Sequence, residues 1–323
     1  MVSVPECFSE SYAEARPKFC SAAAASGGEI RSWLNPSGRG PTGEALYLDT
    51  ARFGPRDAPN MLVLIAGTHG VEGHCGSGAE IAWLRNGGPD KLPKDTGALL
   101  IHAINPHGFA WTRRVTEDNV DLNRNFVDHA AGAWPANPEY GRLHPVLLPE
   151  CWDDAGRATM EAAFHAYIAE HGAFGLQTAL SRGQYDHADG IFYGGRAPTW
   201  SNRTFRAIAE GFCRQAAHIA FLDFHTGLGP YGHAEMIARF TSGSPEERRL
   251  RAWFGEGLTS PEAGDSTSPP LTGLIADGLI TGCPGADVVS VTVEYGTYPI
   301  RRILAALLAD NWLHARGDVQ SDL

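Results

Sequence analysis

His69 and Glu72 stand three residues apart in a glycine-flanked stretch, GTHGVEGH. At that spacing an imidazole and a carboxylate can reach one cation. A third ligand must then come from elsewhere in the chain, leaving a coordination position for water. Two nitrogens and one carboxylate around an open position is a catalytic zinc arrangement. His225 is the natural third ligand. It ends an apolar run, HIAFLDF, and Asp223, two residues back, shares its face of a strand and can orient the ring. The stretch also permits a His69–His74 pair, and an isolated HxxE is in itself no more than a surface loop.

Glu294 follows another apolar run, VVSVTV. A carboxylate there is either a salt-bridge partner or a general base that takes a proton from water and hands it to a leaving amine. Arg113, Arg114 and Arg124 fall in one stretch with Asn123 and Asn125. Solvated charges are the plain reading, yet Arg124 lies in DLNRNF between apolar Leu122 and Phe126. An arginine fork suits a substrate carboxylate or a developing oxyanion. Ser77 superficially suggests a serine hydrolase, but the GxSxG turn needs glycine at position 75, where Cys75 stands.

Each of these groups sits just beyond a short apolar run, or one loop further on. The runs are Met61–Ala66, Ala98–Ile104, His218–Phe224 and Val288–Val293, of the kind buried in a sheet covered on both faces. Weaker strands are expected at Glu29–Trp33 and Ala45–Leu48, parted by turns over 36–42 and 54–59. Helices are expected over Glu6–Ala25 (with Pro17 as a possible break), Glu72–Arg85, Ala155–His171, Ser201–Ala216, and from Pro299 onward, where Ile300, Ile303, Leu304, Leu307 and Leu308 recur at helical spacing. Residues 128–149 read as an irregular loop and 242–268 as a surface excursion. Strands alternating with helices argue an α/β protein with a mostly parallel or mixed sheet. Ligands bind outside the carboxyl ends of such strands, where the four clusters fall. No boundary divides the chain, so residues 1–323 are read as a single catalytic domain.

The formal charge of −11 over 323 residues disfavours nucleic acid as a partner. Six scattered cysteines without a CxxC pair exclude a zinc ribbon and point to reduced thiols in a cytoplasmic protein. The N-terminal stretch does not read as a signal peptide, and no run approaches the roughly 18 apolar residues of a membrane span.

The blocks GTHGVEG, NPHGF, DNVDLNRNF, DFHTG and VEYGT resemble those of the zinc carboxypeptidases of the carboxypeptidase A type. They also resemble those of the related deacylases, aspartoacylase and succinylglutamate desuccinylase. The match runs in the family's order from about Met61 to Pro299. HGVEG, FYGG and HTGLG further resemble a bacterial branch of that superfamily whose activity is not settled. The resemblance implies a three-layer α/β/α sandwich around a mixed, mostly parallel sheet. It implies one Zn²⁺ per chain on His69, Glu72 and His225, and Glu294 as general acid/base. It places Arg113 as the oxyanion donor with Arg114 its neighbour, and Asn123 and Arg124 on a substrate carboxylate. The expected activity is cleavage of an amide or peptide bond in a small molecule or peptide that carries a free carboxylate. A carboxypeptidase is the leading form and an N-acyl amino acid deacylase the alternative. Tyr231, Tyr295 and Tyr298 compete as counterparts of the carboxypeptidase tyrosine, and the block after Glu294, YGTYP, is closer to the deacylases. A non-catalytic binding protein on the same fold would be expected to have lost one of His69, Glu72, His225 or Glu294. His187 and His233 read as ordinary polar residues in nearby loops.

Overall fold

The apolar runs of the sequence become the central strands of an eight-stranded mixed sheet in a computed structural model that describes residues 3–317. In chain order the elements are α1 (Tyr12–Ala25), β1 (Glu29–Arg39), β2 (Ala45–Phe53), β3 (Asn60–Ala66), α2 (Gly73–Arg85), β4 (Thr96–His102) and α3 (Pro106–Ala110). There follow α4 (Pro138–Leu147), α5 (Asp154–Ser181), α6 (Trp200–Cys213), β5 (His218–Gly227), β6 (Ala234–Ile237), α7 (Pro245–Phe254) and β7 (Leu258–Thr259). The last are α8 (Ile275–Gly282), β8 (Asp287–Gly296) and α9 (Ile300–Arg316). The strand order is β1-β2-β4-β3-β5-β8-β6-β7. β4, β3, β5 and β8 run parallel as the middle of the sheet, while β2 pairs β4, and β6 pairs β8, antiparallel.

β3 and β4 are almost wholly apolar because both faces are covered, while β5 and β8 alternate buried with half-buried positions. Alternate residues point to opposite sides. Val63, Ile65, Leu99, Ile101 and Phe221 pack with Phe205 of α6 and Leu279 of α8. Leu64, Ala98 and Leu100 pack on the other side with Phe19 of α1 and with Ile81 and Leu84 of α2. The result is the expected three-layer sandwich. Phe221 is fully buried, and such a side chain contributes about 1.5–3 kcal/mol through area removed from water.

Pro17 lies inside α1 without ending it, because Phe19, Ala22 and Ala23 bury against the sheet and packing outweighs one lost hydrogen bond. The helix opens later than expected, at Tyr12, where the Ser11 side chain caps the Glu14 N–H. Further differences follow from local chemistry. β4 ends at His102, since Ala103 takes φ 60° and turns the chain. The expected helix at 155–171 runs on to Ser181 across a break at Gly172, which adopts φ 76°. The region read as an irregular loop contains α4, opened by the Asn137 side chain accepting from Tyr140 N–H and by Pro138 in the first turn. The excursion at 242–268 carries α7 and the short β7, held on β6 and β8 by Leu250, Leu258 and Phe240. Among the described residues no helix is long and apolar enough to cross a membrane.

Candidate active site

β3 ends at Ala66, and Gly67 then turns the chain with φ 77°, a backbone state that favours glycine. The turn delivers His69, followed by one 3₁₀ turn, Gly70–Glu72, before α2 begins. Two backbone bonds fix this turn against the neighbouring segment. Gly70 N–H donates to the Arg114 carbonyl at 3.2 Å and Val71 N–H to the Arg113 carbonyl at 2.8 Å. The approach is so close that a Cβ on Gly70 would lie 2.0 Å from the Gly108 carbonyl carbon. His225 and Glu294 are register partners on the parallel strands β5 and β8, so their side chains emerge together from one face of the sheet.

These elements converge on a buried cluster. His69 Nδ1 lies 2.9 Å from Glu72 Oε1, His225 Nδ1 lies 2.9 Å from Glu72 Oε2, and the two Nδ1 atoms are 3.1 Å apart. The opposite edge of each ring meets a buried carboxylate. His69 Nε2 is 3.3 Å from Asp121 Oδ1, and His225 Nε2 is 2.7 Å from Asp223 Oδ2. Thr68 Oγ1 in turn donates to Asp223 Oδ1 at 2.8 Å. A carboxylate beside Nε2 favours a proton on that nitrogen, so Nδ1 is the atom each ring turns toward an ion that takes the place of its proton. Two such nitrogens and a carboxylate, all facing one point and all buried, form a donor set that fits a divalent cation.

The charges in the cluster are strongly coupled. Burial alone would raise the Glu72 pKa, but His69 and His225 hold it well below the usual carboxylate range. Burial alone would lower that of His225, and the Asp223 and Glu72 carboxylates hold it well above the ordinary value instead. Glu294 is pushed up to about 7, chiefly by burial and then by the Glu72 charge. Its Oε1 accepts the Leu228 N–H at 2.9 Å. A carboxyl poised near neutrality beside the cluster has the proton affinity wanted of a general acid/base.

The two adjacent arginines part company. Arg114 lines the cavity, with Nη1 3.4 Å from Glu72 Oε1 and Nε donating to Asp121 Oδ2 at 2.9 Å. The Arg113 side chain points away toward α9, its Nε 3.1 Å from Asp310 Oδ2 and its Nη2 3.3 Å from Asn119 Oδ1. The expected oxyanion donor Arg113 is therefore not brought to the cluster. What Arg113 gives the site is its carbonyl, which anchors the ligand turn. Asn123 and Arg124 do line the cavity, in roles largely internal to the fold. Asn123 Oδ1 accepts the Ile275 N–H, and Arg124 donates to the carbonyls of Ser181 and Asn123 through Nε, Nη1 and Nη2. Those three bonds leave about two of the five guanidinium N–H groups for a ligand.

His74 turns to the Ser9 carbonyl at 2.9 Å, so the His69–His74 pair does not form. Ser77 is buried against His102 Nε2 at 2.9 Å. Of the three tyrosines considered, Tyr298 lines the cavity; Tyr231 is 83% exposed elsewhere. Asp121 escaped the sequence reading as a partner of His69, although it stands in the DLNRNF block. The cavity itself measures about 680 Å³ and extends from the cluster past Leu228, Tyr298, Ile303 and Leu307. A long, mostly apolar recess with a few convergent polar groups is the usual form of a small-molecule site.

The chain belongs to the family described as a protein of unknown function, DUF2817, whose profile matches residues 8–322. No curated protein matches the chain. Among solved structures it is similar to carboxypeptidase A from Helicoverpa armigera, at 13% identity and a TM-score of 0.51, covering 97% of this chain and 75% of that one. It is also similar to succinylglutamate desuccinylase from Chromobacterium violaceum, at 16% identity and a TM-score of 0.42, covering 95% and 76%. A metallo-carboxypeptidase from Burkholderia cenocepacia matches at 15% identity and a TM-score of 0.42, covering 96% and 68%. The first likeness establishes that the chain has the carboxypeptidase A-like fold expected from its motifs.

Proposed function

We propose that this member of the family is a zinc-dependent hydrolase that cleaves an amide or peptide bond next to a free carboxylate, in the manner of a carboxypeptidase. The observation that carries the reading is the convergence of His69 Nδ1, His225 Nδ1 and the Glu72 carboxylate on one point, with Glu294 beside them. His69, Glu72 and His225 would hold the ion. When bound, zinc supplies Lewis acidity toward a carbonyl and lowers the pKa of water toward about 7. Asp121 and Asp223 keep the two rings in the tautomer that ligates. Glu294 takes a proton from the attacking water and returns it to the departing amine. Arg114, in the cavity wall beside Glu72, steadies the developing oxyanion. Arg124 and Asn123 bind the substrate carboxylate with the donors the fold leaves them.

An N-acyl amino acid deacylase is the second reading, favoured by the YGTYP block after Glu294. A panel of dipeptides set against N-acetyl and N-succinyl amino acids, assayed before and after chelation, separates the two. Turnover of the dipeptides supports the carboxypeptidase, and turnover of the acyl amino acids alone supports the deacylase. Glu294→Gln is expected to retain zinc and to lose about 10²–10⁴-fold in kcat. Unchanged turnover in that variant would remove Glu294 from the mechanism.

A further inference from the structure

A second group of metal-ligating side chains lies outside the cavity. His144 projects from α4, and His187 and Asp189 from the loop that follows α5. Their ligand atoms all fall within 4.8 Å of one another. The two rings stack with centroids 4.0 Å apart and 30° between their planes, and His144 Nε2 lies 3.2 Å from Asp189 Oδ1. His144 Nδ1 is buried with no hydrogen-bond partner among the described residues, so the polar contact of this ring is the one its Nε2 makes with Asp189.

The loop that carries two of the three groups is built to hold its shape. Gln184, itself buried, accepts the Asp186 and His187 N–H groups through Oε1 at 3.1 and 2.8 Å, and donates to the His187 carbonyl through Nε2 at 2.7 Å. Asn311 Nδ2 donates to the Asp189 carbonyl at 2.9 Å, and Asn119 Nδ2 to the Ala188 and Gly190 carbonyls at 3.0 and 3.2 Å. Three amide side chains from separate parts of the chain thus clamp five residues of loop. Positioning of that kind is what a ligand set needs and what a solvated surface loop lacks. Two stacked imidazoles with a carboxylate at the same point present the N₂O donors that borderline divalent ions prefer, the remaining positions open to water.

We propose that His144, His187 and Asp189 form a second divalent-cation site, of the class that takes Zn²⁺, which ties α4 to the loop at 186–190. The site is structural in its placement. The loop it fixes is bonded through Asn119 to Arg113, whose carbonyl holds the His69–Glu72 turn. An ion there tightens a support of the active site without touching substrate.

The test counts zinc in the full-length chain by elemental analysis after equilibrium dialysis. The native chain is expected to hold about two equivalents, His69→Ala/His225→Ala about one, and His144→Ala/His187→Ala about one. In the His69→Ala/His225→Ala variant, added zinc is expected to raise Tm by on the order of 3 °C, and adding Asp189→Asn to that variant should remove most of the shift. One equivalent in the native chain, lost with His69 and His225 and untouched by His144→Ala/His187→Ala, would overturn the second site and leave the active-site reading standing. The reverse pattern would overturn the active-site reading alone. Should His144→Ala/His187→Ala fail to fold, the Tm response and its loss with Asp189→Asn decide the matter, and absence of any zinc response would overturn the proposal.

Discussion

At the scale of single residues the proposed chemistry rests on which atom of each side chain faces the cluster. Asp121 and Asp223 sit against the Nε2 edges of His69 and His225, so both rings offer Nδ1 inward. The sequence reading reached His69, Glu72, His225 and Glu294 because spacing and strand ends restrict where such residues can point. It reached Asp223 by the two-residue period of a strand. Asp121 was not legible, because its contact with His69 crosses 52 residues of chain and nothing in the DLNRNF block shows which side chain turns which way. The same limit lies behind the expectation of Arg113 as the oxyanion donor: adjacent residues in a loop have no fixed period, and the packing of α9, with Asp310, draws Arg113 aside. The two should separate in the laboratory. Arg114→Ala is expected to lower kcat by about 10²–10³, the usual loss for one oxyanion donor, whereas Arg113→Ala should act mainly on Tm. Steady-state kinetics and thermal melts on the pair check this, and equal kinetic losses would contradict the assignment.

At the scale of elements, the site is a product of parallel strands that end at one edge. β3, β5 and β8 were legible as short, mostly apolar runs rich in β-branched and large side chains. Their neighbour relations were not, because register between strands far apart in the chain is set by the packing of α1, α2, α6 and α8. α4 and α7 were missed for a related reason. Both are short and open with side-chain caps at Asn137 and Ser244, amid proline and glycine that read as loop. The element most exposed to a small change is the 3₁₀ turn that carries Glu72. Gly70→Ala places a methyl against the backbone of Gly108, where relief requires moving the turn. It is expected to cost about 1–3 kcal/mol of stability and to weaken zinc binding in parallel. Gly211→Ala in α6, with no atom within 4 Å of the new methyl, is the control and should be neutral or gain up to about 1 kcal/mol. Thermal melts and zinc titrations of both variants test the pair; a Gly70→Ala chain with native zinc affinity would show that the turn does not depend on that contact.

At the scale of the whole molecule, stability carries a pH signature from a group outside the chemistry. Glu80 is fully buried on α2, with neither carboxylate oxygen paired among the described residues. Burial raises its pKa well above the usual carboxylate value. The folded chain therefore keeps a proton that the unfolded chain releases above about 4.3. The contribution of this group to stability is full below that unfolded value and is lost as pH rises toward the raised folded value. Glu80→Met removes the linkage. Relative to the native chain, the variant is expected to gain stability steadily as pH rises from about 5 into the neutral range. Melts of both proteins across that range decide it, and parallel profiles would refute the argument.

The claim on which the proposed activity stands is that an ion sits among His69, Glu72 and His225. A crystal of the full-length chain grown with zinc, with anomalous differences measured at the zinc edge, tests it most directly. The account predicts a peak ligated by the Nδ1 atoms of His69 and His225 and by Glu72, with Asp121 and Asp223 still against the Nε2 atoms. An empty cluster at saturating zinc, its two rings unmoved, would contradict it and leave the carboxypeptidase A-like fold without metal-dependent hydrolysis as its purpose.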